Sequence, residues 1–385
     1  MFTFQGAKYI NLYSLFTLKN VLLILNFDLK KDLLNKISKN FAINLINWYS
    51  DNKRSLPWRE TKNPFKIWLS EIILQQTQIK QGLPYYNKFI KIFPNVESLA
   101  FSDEKHVLKN WEGLGYYSRA RNLHKAAKVV VDDYDGKFPV HYNELIKLPG
   151  IGDYSASAIS SFSSNEIRPV LDGNVYRLIS RIFQVENVIN SSKAVKVFKE
   201  ILYKLISKEY PGDFNQAIMD YGSIMCKPKN PDCLKCIFKT DCLSFNFNTI
   251  SKFPVKNNNL SKKSRTFNYL VVIDLSNKIV INKRSGKDIW HNMYEFPMIE
   301  TKKKINKNDI RKHLALKYFI STDSITLQFD MTQNHKLSHQ NLTINYWIVS
   351  LDYDLNHAIE IKKINDYPFP KPLHSFISTL DRFLK

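Results

Sequence analysis

Four cysteines are the first residues whose spacing indicates chemistry. Cys226, Cys233, Cys236 and Cys242 are the only cysteines in the 385 residues, and their spacing is C-x6-C-x2-C-x5-C. A secreted disulfide framework would spread its cysteines over the fold, so this arrangement predicts a ligand cluster in an intracellular protein. Four thiolates in one compact loop favour a [4Fe-4S] cluster. Structural zinc remains the alternative, although zinc sites usually show two closely spaced pairs.

A second motif predicts phosphate binding. The segment from Leu148 to Tyr154 reads LPGIGDY and joins two short helical patterns. Gly150 and Gly152 lack a Cβ atom, so the backbone can approach a phosphate closely, and the second helix offers unpaired N–H groups. The pattern therefore predicts a helix-hairpin-helix phosphate clamp. A helix-helix turn without a ligand is the alternative.

Two carboxylates stand in positions that could serve acid–base chemistry. Asp172 precedes Gly173 at a predicted helix start. As the N-cap it would stabilise the helix by about 1 kcal/mol, and its carboxylate would stay ionised. Glu71 has the apolar neighbours Ile67, Trp68 and Leu74 at helical spacing. A carboxylate on an apolar face is either a paired structural charge or an acid with a raised pKa.

The elements that must position these residues are helical in the first two thirds of the chain. Residues 35–225 read as successive amphipathic helices, and residues 226–245 as the cysteine loop. We predict helices over Phe65–Ile79, Tyr142–Lys147, Tyr154–Phe162, Gly173–Phe183 and Phe214–Met225. Residues 246–265 are polar and lack periodicity, which indicates a linker.

The pattern changes after the linker. Residues 266–385 read as a small α+β domain, with a hairpin of Tyr269–Asp274 and Lys278–Arg284 and a strand over Leu342–Ser350. Residues 1–34 form an N-terminal extension of unknown role. Its apolar run, Val21–Phe27, is too short to span a bilayer, so we expect an extra helix or an over-long start rather than a membrane anchor.

The net charge of +21 indicates a polyanionic partner, with nucleic acid as the first candidate. Compositional drift is the alternative for part of this charge, because lysine is abundant throughout the chain.

Taken together, the motifs identify a family resemblance. The helix-hairpin-helix, the segment LDGNV at 171–175 and the four-cysteine spacing resemble the endonuclease III superfamily of DNA glycosylases. The segments LPWR (56–59), SEIILQQTQ (70–78) and GLGYYSRAR (113–121) resemble its adenine glycosylase (MutY) branch. The resemblance is dense over about residues 40–245. It implies excision of adenine mispaired with 8-oxoguanine or guanine, by hydrolysis of the N-glycosidic bond of a flipped-out nucleotide.

The resemblance implies roles for four residues. Glu71 would protonate adenine N7 and later help to activate water, and Asp172 would stabilise the oxocarbenium ion or form a transient covalent acetal. Tyr154 and Asn174 would support these carboxylates. In bifunctional relatives a lysine occupies the position of Tyr154, and a phenol cannot form an imine, which argues against strong lyase activity.

The resemblance also implies DNA contacts. The residues that match base-pocket positions are Arg54, Leu56, Trp58, Arg59, Leu74, Ile79, Gln216 and Met219. Gln76, Leu114 and Tyr116 match residues that wedge into the gap and against the opposite base. Further DNA-binding candidates are Thr77 and, in the phosphate clamp, Leu148, Gly150 and Gly152. Two departures are Gln216, where some members have Glu, and Tyr176, where some have Lys. For the apolar pocket positions, helix core is the alternative.

The C-terminal domain resembles the Nudix-like domain that recognises 8-oxoguanine in this branch. Its segment Leu337-Ser338-His339 matches the loop that touches the oxidised base, with Leu where Phe is usual. The sequence lacks a Nudix catalytic box. We therefore expect a DNA repair enzyme that is monomeric, cytoplasmic and nucleoid-associated, acts on double-stranded DNA and does not bind a membrane. The rival predictions are an oxidised-pyrimidine glycosylase with lyase activity and a catalytically silent damage-binding module.

Overall fold

The computed structural model describes residues 32–38, 40–189, 191–257, 262–302, 305–318 and 325–384. The prediction for Val21–Phe27 lies outside these residues. Within the described ranges, no helix has both the length and the apolar character that crossing a membrane requires.

The described helices range from single turns to segments of several turns. Helix α1 comprises residues 32–38 and 40–52. The others are α2 (Pro64–Leu74), α3 (Ile79–Ile92), α4 (Val96–Ala100), α5 (Glu104–Asn110), α6 (Ser118–Tyr134), α7 (Tyr142–Leu145), α8 (Asp153–Ser164), α9 (Gly173–Phe183), α10 (Ser192–Leu205), α11 (Pro211–Ile224), α12 (Leu243–Asn246), α13 (Lys307–Tyr318) and α14 (Lys371–Ile377). Short 3-10 turns occupy Pro57–Arg59, Cys233–Lys235, Ile250–Lys252, Ile361–Asp366 and Leu380–Phe383.

The described residues form two compact units, each built from two stretches of chain. Residues 32–71 and 138–257 belong to the first unit, and residues 72–137 and 262–384 to the second. The sequence instead divides the chain at about 225, 245 and 265, and those domain boundaries stay a prediction.

Aromatic side chains fill the core of the first unit. Phe41 of α1 stacks on Phe238 of the cysteine loop, with 4.3 Å between ring centroids. Phe238 also meets the edge of Tyr221 on α11. Burying such rings removes large apolar areas from water and anchors the loop to the helices.

Capping decides where two predicted helices begin and end. Helix α9 has the predicted bounds, because Asp172 caps its start and Gln184 takes a left-handed conformation with φ 47° at its end. The prediction of a helix over Phe65–Ile79 is wrong at its C-terminal end. Helix α2 stops at Leu74 because Gln76 adopts φ 55°, and α3 begins only at Ile79.

The second unit combines helices α3–α6 with a mixed sheet. The strands are β1 (Lys263–Ile273), β2 (Lys278–Ile279), β3 (Asn282–Lys283), β4 (Tyr294–Glu295), β5 (Met298–Thr301), β6 (Ile325–Lys336), β7 (Gln340–Leu351) and β8 (Ile359–Glu360). The main sheet has the order β6-β7-β1-β2-β8, and β5 pairs with β1. Strands β1 and β7 run parallel, while the other described pairs are antiparallel.

The predicted hairpin is confirmed only in part. Strand β1 turns into β2, and Asp274 stabilises the turn by accepting from the Lys278 N–H at 2.7 Å. The second strand ends at Ile279 rather than Arg284, because Asn282–Lys283 pairs with β4 in a separate two-stranded sheet. The predicted strand over Leu342–Ser350 lies within β7. The predicted fold class, a helical part followed by a small domain with a sheet, is confirmed.

Candidate active site

Glu71 is a buried acid near the end of α2, with 7% of its surface exposed. Its carboxyl group accepts a hydrogen bond from the Tyr154 hydroxyl. Burial and the nearby charge of Asp172 raise the pKa of Glu71 from 4.5 to about 7, while Tyr154 and Arg59 oppose this rise. A carboxyl group with this pKa can carry a proton at neutral pH and can donate it.

Asp172 is the N-cap of α9 and makes three short hydrogen bonds. Its Oδ1 accepts from the backbone N–H groups of Asn174 and Val175 at 2.9 and 2.7 Å, and its Oδ2 accepts from Asn174 Nδ2 at 2.8 Å. Burial nevertheless raises the pKa of Asp172 above its ordinary 3.8, although these donors oppose the effect. The hydrogen bonds of the cap therefore offset only part of the rise in pKa that burial causes. The sequence alone could not reveal this burial.

Tyr154 is the second residue of α8, and its hydroxyl is hydrogen-bonded to Glu71 and feels the charge of Asp172. Burial, together with the charges of Glu71 and Asp172, raises the pKa of Tyr154 well above 10. The phenol therefore keeps its proton and acts as a neutral hydrogen-bond donor. Its oxygen also lies 3.8 Å from the Sδ atom of Met219 on α11.

Asn174 connects Asp172 to a buried arginine. Asn174 Oδ1 accepts from Arg177 Nη2 at 2.9 Å, and the same guanidinium donates to the carbonyl oxygens of Gly222 and Cys226, both at 2.6 Å. A Cβ atom on Gly222 would lie 2.8 Å from the Asn174 carbonyl oxygen. The glycine thus permits the close approach of α11 to α9 that this network needs.

Asp220 of α11 forms an ion triad with the two arginines of the candidate base pocket. Asp220 is fully buried and holds Arg59 in a two-pronged pair at 2.6 and 2.8 Å, and it also accepts from Arg54. Burial alone would raise the pKa of Asp220, but hydrogen bonds and charge from Arg59 and Arg54 bring it below the ordinary value. The carboxylate therefore stays ionised between two cations.

The remaining pocket residues of the first unit lie among buried side chains. Leu56 precedes the turn at Pro57–Arg59 and Trp58 lies within it, and they are 5% and 8% exposed. Gln216 on α11 is also buried, and its Oε1 accepts from the Tyr49 hydroxyl at 3.0 Å. The Tyr49 hydroxyl thus fixes the orientation of the Gln216 amide group.

The predicted phosphate clamp forms the turn between α7 and α8. Gly150 has φ 78°, in the left-handed region that favours glycine, and Gly152 is the N-cap of α8. An added Cβ atom at Gly152 would meet no heavy atom within 4 Å, so this side of the turn is open to a ligand. Leu148 is buried and anchors the turn. The carboxylate of Asp153 beside it is neutralised by Lys199 at 2.5 Å.

The four cysteines line one small cavity next to α9 and the end of α11. Burial raises the pKa of the thiols of Cys233, Cys236 and Cys242. The Arg181 guanidinium lies 3.4 Å from Cys226 Sγ, and the Tyr221 hydroxyl lies 3.2 Å from Cys236 Sγ. Within the described residues, no three His, Cys, Asp or Glu side chains are gathered around a single metal-ion position.

In the second unit, one arginine holds together the two segments that carry the wedge candidates. Buried Arg119 donates through Nη1 to the carbonyl oxygens of Ile72 and Ile73, both at 2.8 Å, at the end of α2. Its Nη2 lies 3.3 Å from Thr77 Oγ1 and 3.2 Å from the Gly115 carbonyl oxygen. The turn with Gln76 and Thr77 and the loop with Leu114 and Tyr116 are therefore fixed to each other.

A cavity of about 430 Å³ in the same unit contains the predicted lesion-recognition loop. Ser338 and His339 line it on one side, and Tyr116 and Arg121 line it on another. Ser338 Oγ lies 3.2 Å from His339 Nδ1. The cavity thus places a wedge candidate and the loop candidates around one space.

Comparisons with known proteins agree with this architecture. Residues 69–204 match the model of the HhH-GPD superfamily of base excision DNA repair proteins, and residues 268–379 match the NUDIX domain model. A solved thermostable thymine-DNA glycosylase is 27% identical and superposes with a TM-score of 0.51 over 55% of this chain and 98% of that chain.

The decisive similarity is to curated relatives over nearly their whole length. The adenine DNA glycosylase of Buchnera aphidicola subsp. Schizaphis graminum is 35% identical over 88% of this chain and 97% of its own. The chain belongs to the adenine DNA glycosylase family. The enzyme from Buchnera aphidicola subsp. Baizongia pistaciae is 38% identical over 80% of this chain and 86% of its own. The human adenine DNA glycosylase is 35% identical over 52% of this chain and 39% of its own.

Membership of the adenine DNA glycosylase family establishes the reaction in outline. The chain is an N-glycosyl hydrolase that removes adenine from DNA in base excision repair, and DNA is its partner. The structure gathers the four catalytic candidates, most of the base pocket, the clamp and the cysteines in the first unit. The candidates in the second unit are Leu74, Gln76, Thr77, Ile79, Leu114, Tyr116, Ser338 and His339.

Four residues that position this adenine glycosylase site were missed by the sequence reasoning. Asp220, Tyr49, Arg119 and Arg177 each contact a predicted site residue directly. Arg119 lies inside the quoted segment GLGYYSRAR, which is a signal that could have drawn attention to it. The other three belong to helices whose meeting only the tertiary structure decides.

Proposed function

We propose that this glycosylase excises adenine paired with 8-oxoguanine or guanine, without strong lyase activity. The observation that carries the proposal is the buried pair of carboxyl groups, Glu71 and Asp172, with the neutral donor Tyr154 hydrogen-bonded to Glu71. Two carboxyl groups in different protonation states are what hydrolysis of a sugar–base bond requires.

Glu71 is the proposed general acid. Its pKa of about 7 lets it carry a proton at neutral pH and deliver it to N7 of the flipped-out adenine, which then leaves as a neutral base. After proton transfer, the resulting carboxylate can accept a proton from the attacking water. The hydrogen bond from Tyr154 orients the carboxyl group for both steps.

Asp172 is the proposed stabiliser of the sugar cation. Its three hydrogen-bond donors oppose the effect of burial and favour the ionised form. A fixed carboxylate supports either an ion pair with the oxocarbenium ion or a transient covalent acetal at the sugar carbon. Asn174 supports this role by fixing the second carboxylate oxygen.

Tyr154 supports a reaction that ends with base removal. A Schiff base needs an amine, and the phenol at this position keeps its proton because its pKa lies well above 10. Borohydride should therefore trap little or no adduct between this enzyme and DNA. Efficient trapping would favour the rival oxidised-pyrimidine lyase instead.

The remaining roles in the proposal concern DNA recognition. Arg54, Leu56, Trp58, Arg59 and Gln216 would hold the flipped base. Gln76, Thr77, Leu114 and Tyr116 would fill the gap, Ser338 and His339 would contact 8-oxoguanine, and Leu148, Gly150 and Gly152 would bind phosphate. We further propose a monomer that acts on nucleoid DNA.

The four cysteines are proposed to hold one [4Fe-4S] cluster. They line one cavity, and the adjacent Arg181 guanidinium offsets the negative charge of thiolates, so the donor set fits the group. When bound, the cluster would fix the loop that presents Lys227, Lys229, Lys235 and Lys239 to DNA phosphate. Cys→Ser changes should therefore reduce both folding and DNA affinity.

One experiment tests the chemistry and the substrate together. Single-turnover adenine release is measured on duplexes with A opposite 8-oxoguanine, A opposite guanine and a thymine glycol, each with and without alkali. We expect release from both adenine duplexes, faster opposite 8-oxoguanine, and strand breaks only after alkali. A Glu71→Gln variant that binds the duplex but releases adenine at the wild-type rate would disprove the acid role.

A further inference from the structure

Glu112 joins the C-terminal domain to the segment that leads into the Leu114–Tyr116 loop. Its Oε1 accepts from the backbone N–H of Phe369 at 3.1 Å. Its Oε2 lies 2.8 Å from Lys109 Nζ and 3.5 Å from His374 Nε2. The side chain is 15% exposed, so these contacts are largely shielded from water. No motif or proposed role above assigns this residue.

The backbone of Glu112 is fixed as well. Its carbonyl oxygen accepts from the Tyr85 hydroxyl at 2.6 Å. The next residue, Gly113, has φ 94° and donates its N–H to the Tyr117 hydroxyl at 3.3 Å. A Cβ atom at Gly113 would lie 2.5 Å from the Tyr85 hydroxyl oxygen, so only glycine fits. These contacts therefore fix the position of the backbone at the start of the Leu114–Tyr116 loop.

Further polar contacts surround this joint. Asn292 donates to Glu104 at 2.6 Å, and Arg121 donates to the His291 carbonyl oxygen at 2.8 Å. Lys105 Nζ lies 3.6 Å from the centroid of the Tyr367 ring. Directional contacts of this kind define one register between residues 104–121 and the C-terminal domain.

That register sets the geometry of the cavity with Ser338 and His339. Tyr116 and Arg121 line the cavity from the helical side, and Trp290 and Ser338 line it from the C-terminal domain. 8-Oxoguanine differs from guanine in having a carbonyl oxygen at C8 and a hydrogen on N7, so the protein contacts discriminate only if they are held to a fraction of an ångström. Loss of the Glu112 contacts should therefore reduce the discrimination between 8-oxoguanine and guanine before it affects other steps.

We infer that Glu112 is a positioning residue that makes adenine excision depend on the oxidation state of the opposite base. It acts by holding the Tyr116 loop in register with the Ser338 loop, and it contacts neither base. The inference rests on the proposed function, because it assumes that this cavity receives 8-oxoguanine.

The test compares Glu112→Ala and Glu112→Gln with the wild-type enzyme. Single-turnover adenine release is measured on duplexes with A opposite 8-oxoguanine and with A opposite guanine, and the ratio of the two rates is the readout. We expect Glu112→Ala to lower this ratio about tenfold or more while the rate opposite guanine stays within about threefold of wild type. Glu112→Gln keeps an acceptor for Phe369 and loses the charge, so its ratio should be intermediate.

Glu360→Ala is the matched control. Glu360 lies in the same domain, is exposed and pairs with the exposed Lys363, so its removal should leave the ratio unchanged. Equal loss of both rates in Glu112→Ala would show a merely structural role and would overturn the inference, as would an unchanged ratio. A wild-type enzyme without preference for 8-oxoguanine would overturn that part of the proposed function, and this inference with it.

Discussion

The Tyr154 hydroxyl donates a hydrogen bond to the buried carboxyl group of Glu71, beside the negative charge of Asp172. The pKa of Tyr154 lies well above 10 and that of Glu71 at about 7, so at neutral pH the pair combines a neutral donor with a partly protonated acid. We therefore expect both the activity and the stability of the protein to depend on pH.

The activity should fall as the pH rises through about 7. Glu71 must carry a proton to act as the acid, and each pH unit above its pKa lowers the protonated fraction about tenfold. The measurement is the single-turnover rate at subsaturating enzyme from pH 6 to 9. Tyr154→Phe removes a hydrogen bond that lowers the pKa of Glu71. The fall in rate should therefore occur at higher pH in this variant. A rate that stays flat over the range would contradict the assignment.

The stability should respond to the same group in a defined direction. The folded-state pKa of about 7 exceeds the ordinary 4.5, so the folded state binds more protons between these values, and the free energy of unfolding falls as pH rises through them. The loss is complete above pH 7 and amounts to at most about 3 kcal/mol. Glu71→Gln should therefore gain urea resistance relative to wild type at pH 8 but not at pH 4.5. Glu360→Gln, at an exposed site, should show no such difference between the two pH values.

Asp220→Asn should destabilise the protein by about 3 kcal/mol, because it leaves Arg54 and Arg59 without their shared counter-charge. The lowered pKa of Asp220 means that its contribution is present above about pH 4 and is lost as the pH falls below that value. Urea unfolding at pH 7 measures the cost. Asp213→Asn changes an exposed carboxylate on the same helix and serves as the control. Equal midpoints for the two variants would refute the proposed importance of the triad.

Gly222→Ala should cost about 1–3 kcal/mol, because the new Cβ atom would lie 2.8 Å from the Asn174 carbonyl oxygen and force α11 away from α9. Adenine release should also slow, since Asn174 supports Asp172. The comparison is Gly173→Ala, where a Cβ atom would meet nothing within 4 Å, with melting temperature as the readout. A Gly222→Ala melting temperature equal to that of Gly173→Ala would contradict this account of the close approach.

Tyr221→Phe should alter the reduction potential of the proposed cluster. The Ile237 N–H donates to the Tyr221 oxygen at 2.8 Å, which leaves the phenolic hydrogen free to donate to Cys236 Sγ at 3.2 Å. Losing this donor leaves the thiolate with more electron density and should shift the reduction potential to more negative values. A potentiometric titration followed by electron paramagnetic resonance measures the shift. Tyr49→Phe, which removes a hydroxyl bonded to Gln216, should leave the potential unchanged.

The sequence by itself determined the local features of this protein. Asp172 caps α9 because its side chain reaches backbone N–H groups two and three residues ahead, which is a local interaction. Gly150 marks the hairpin for the same kind of reason, since its left-handed conformation is a property of one residue. The family resemblance likewise depended on short segments with fixed spacing.

Only the tertiary structure decided the properties that arise between distant segments. The pKa of Glu71 depends on how completely the helices around it exclude water, and Asp220 and Tyr49 reach their partners across more than 150 positions of chain. Arg119 of α6 likewise reaches across the chain to the carbonyl oxygens of Ile72 and Ile73 in the last turn of α2. Desolvation and long-range pairing have no local sequence signal, since both depend on which helices meet.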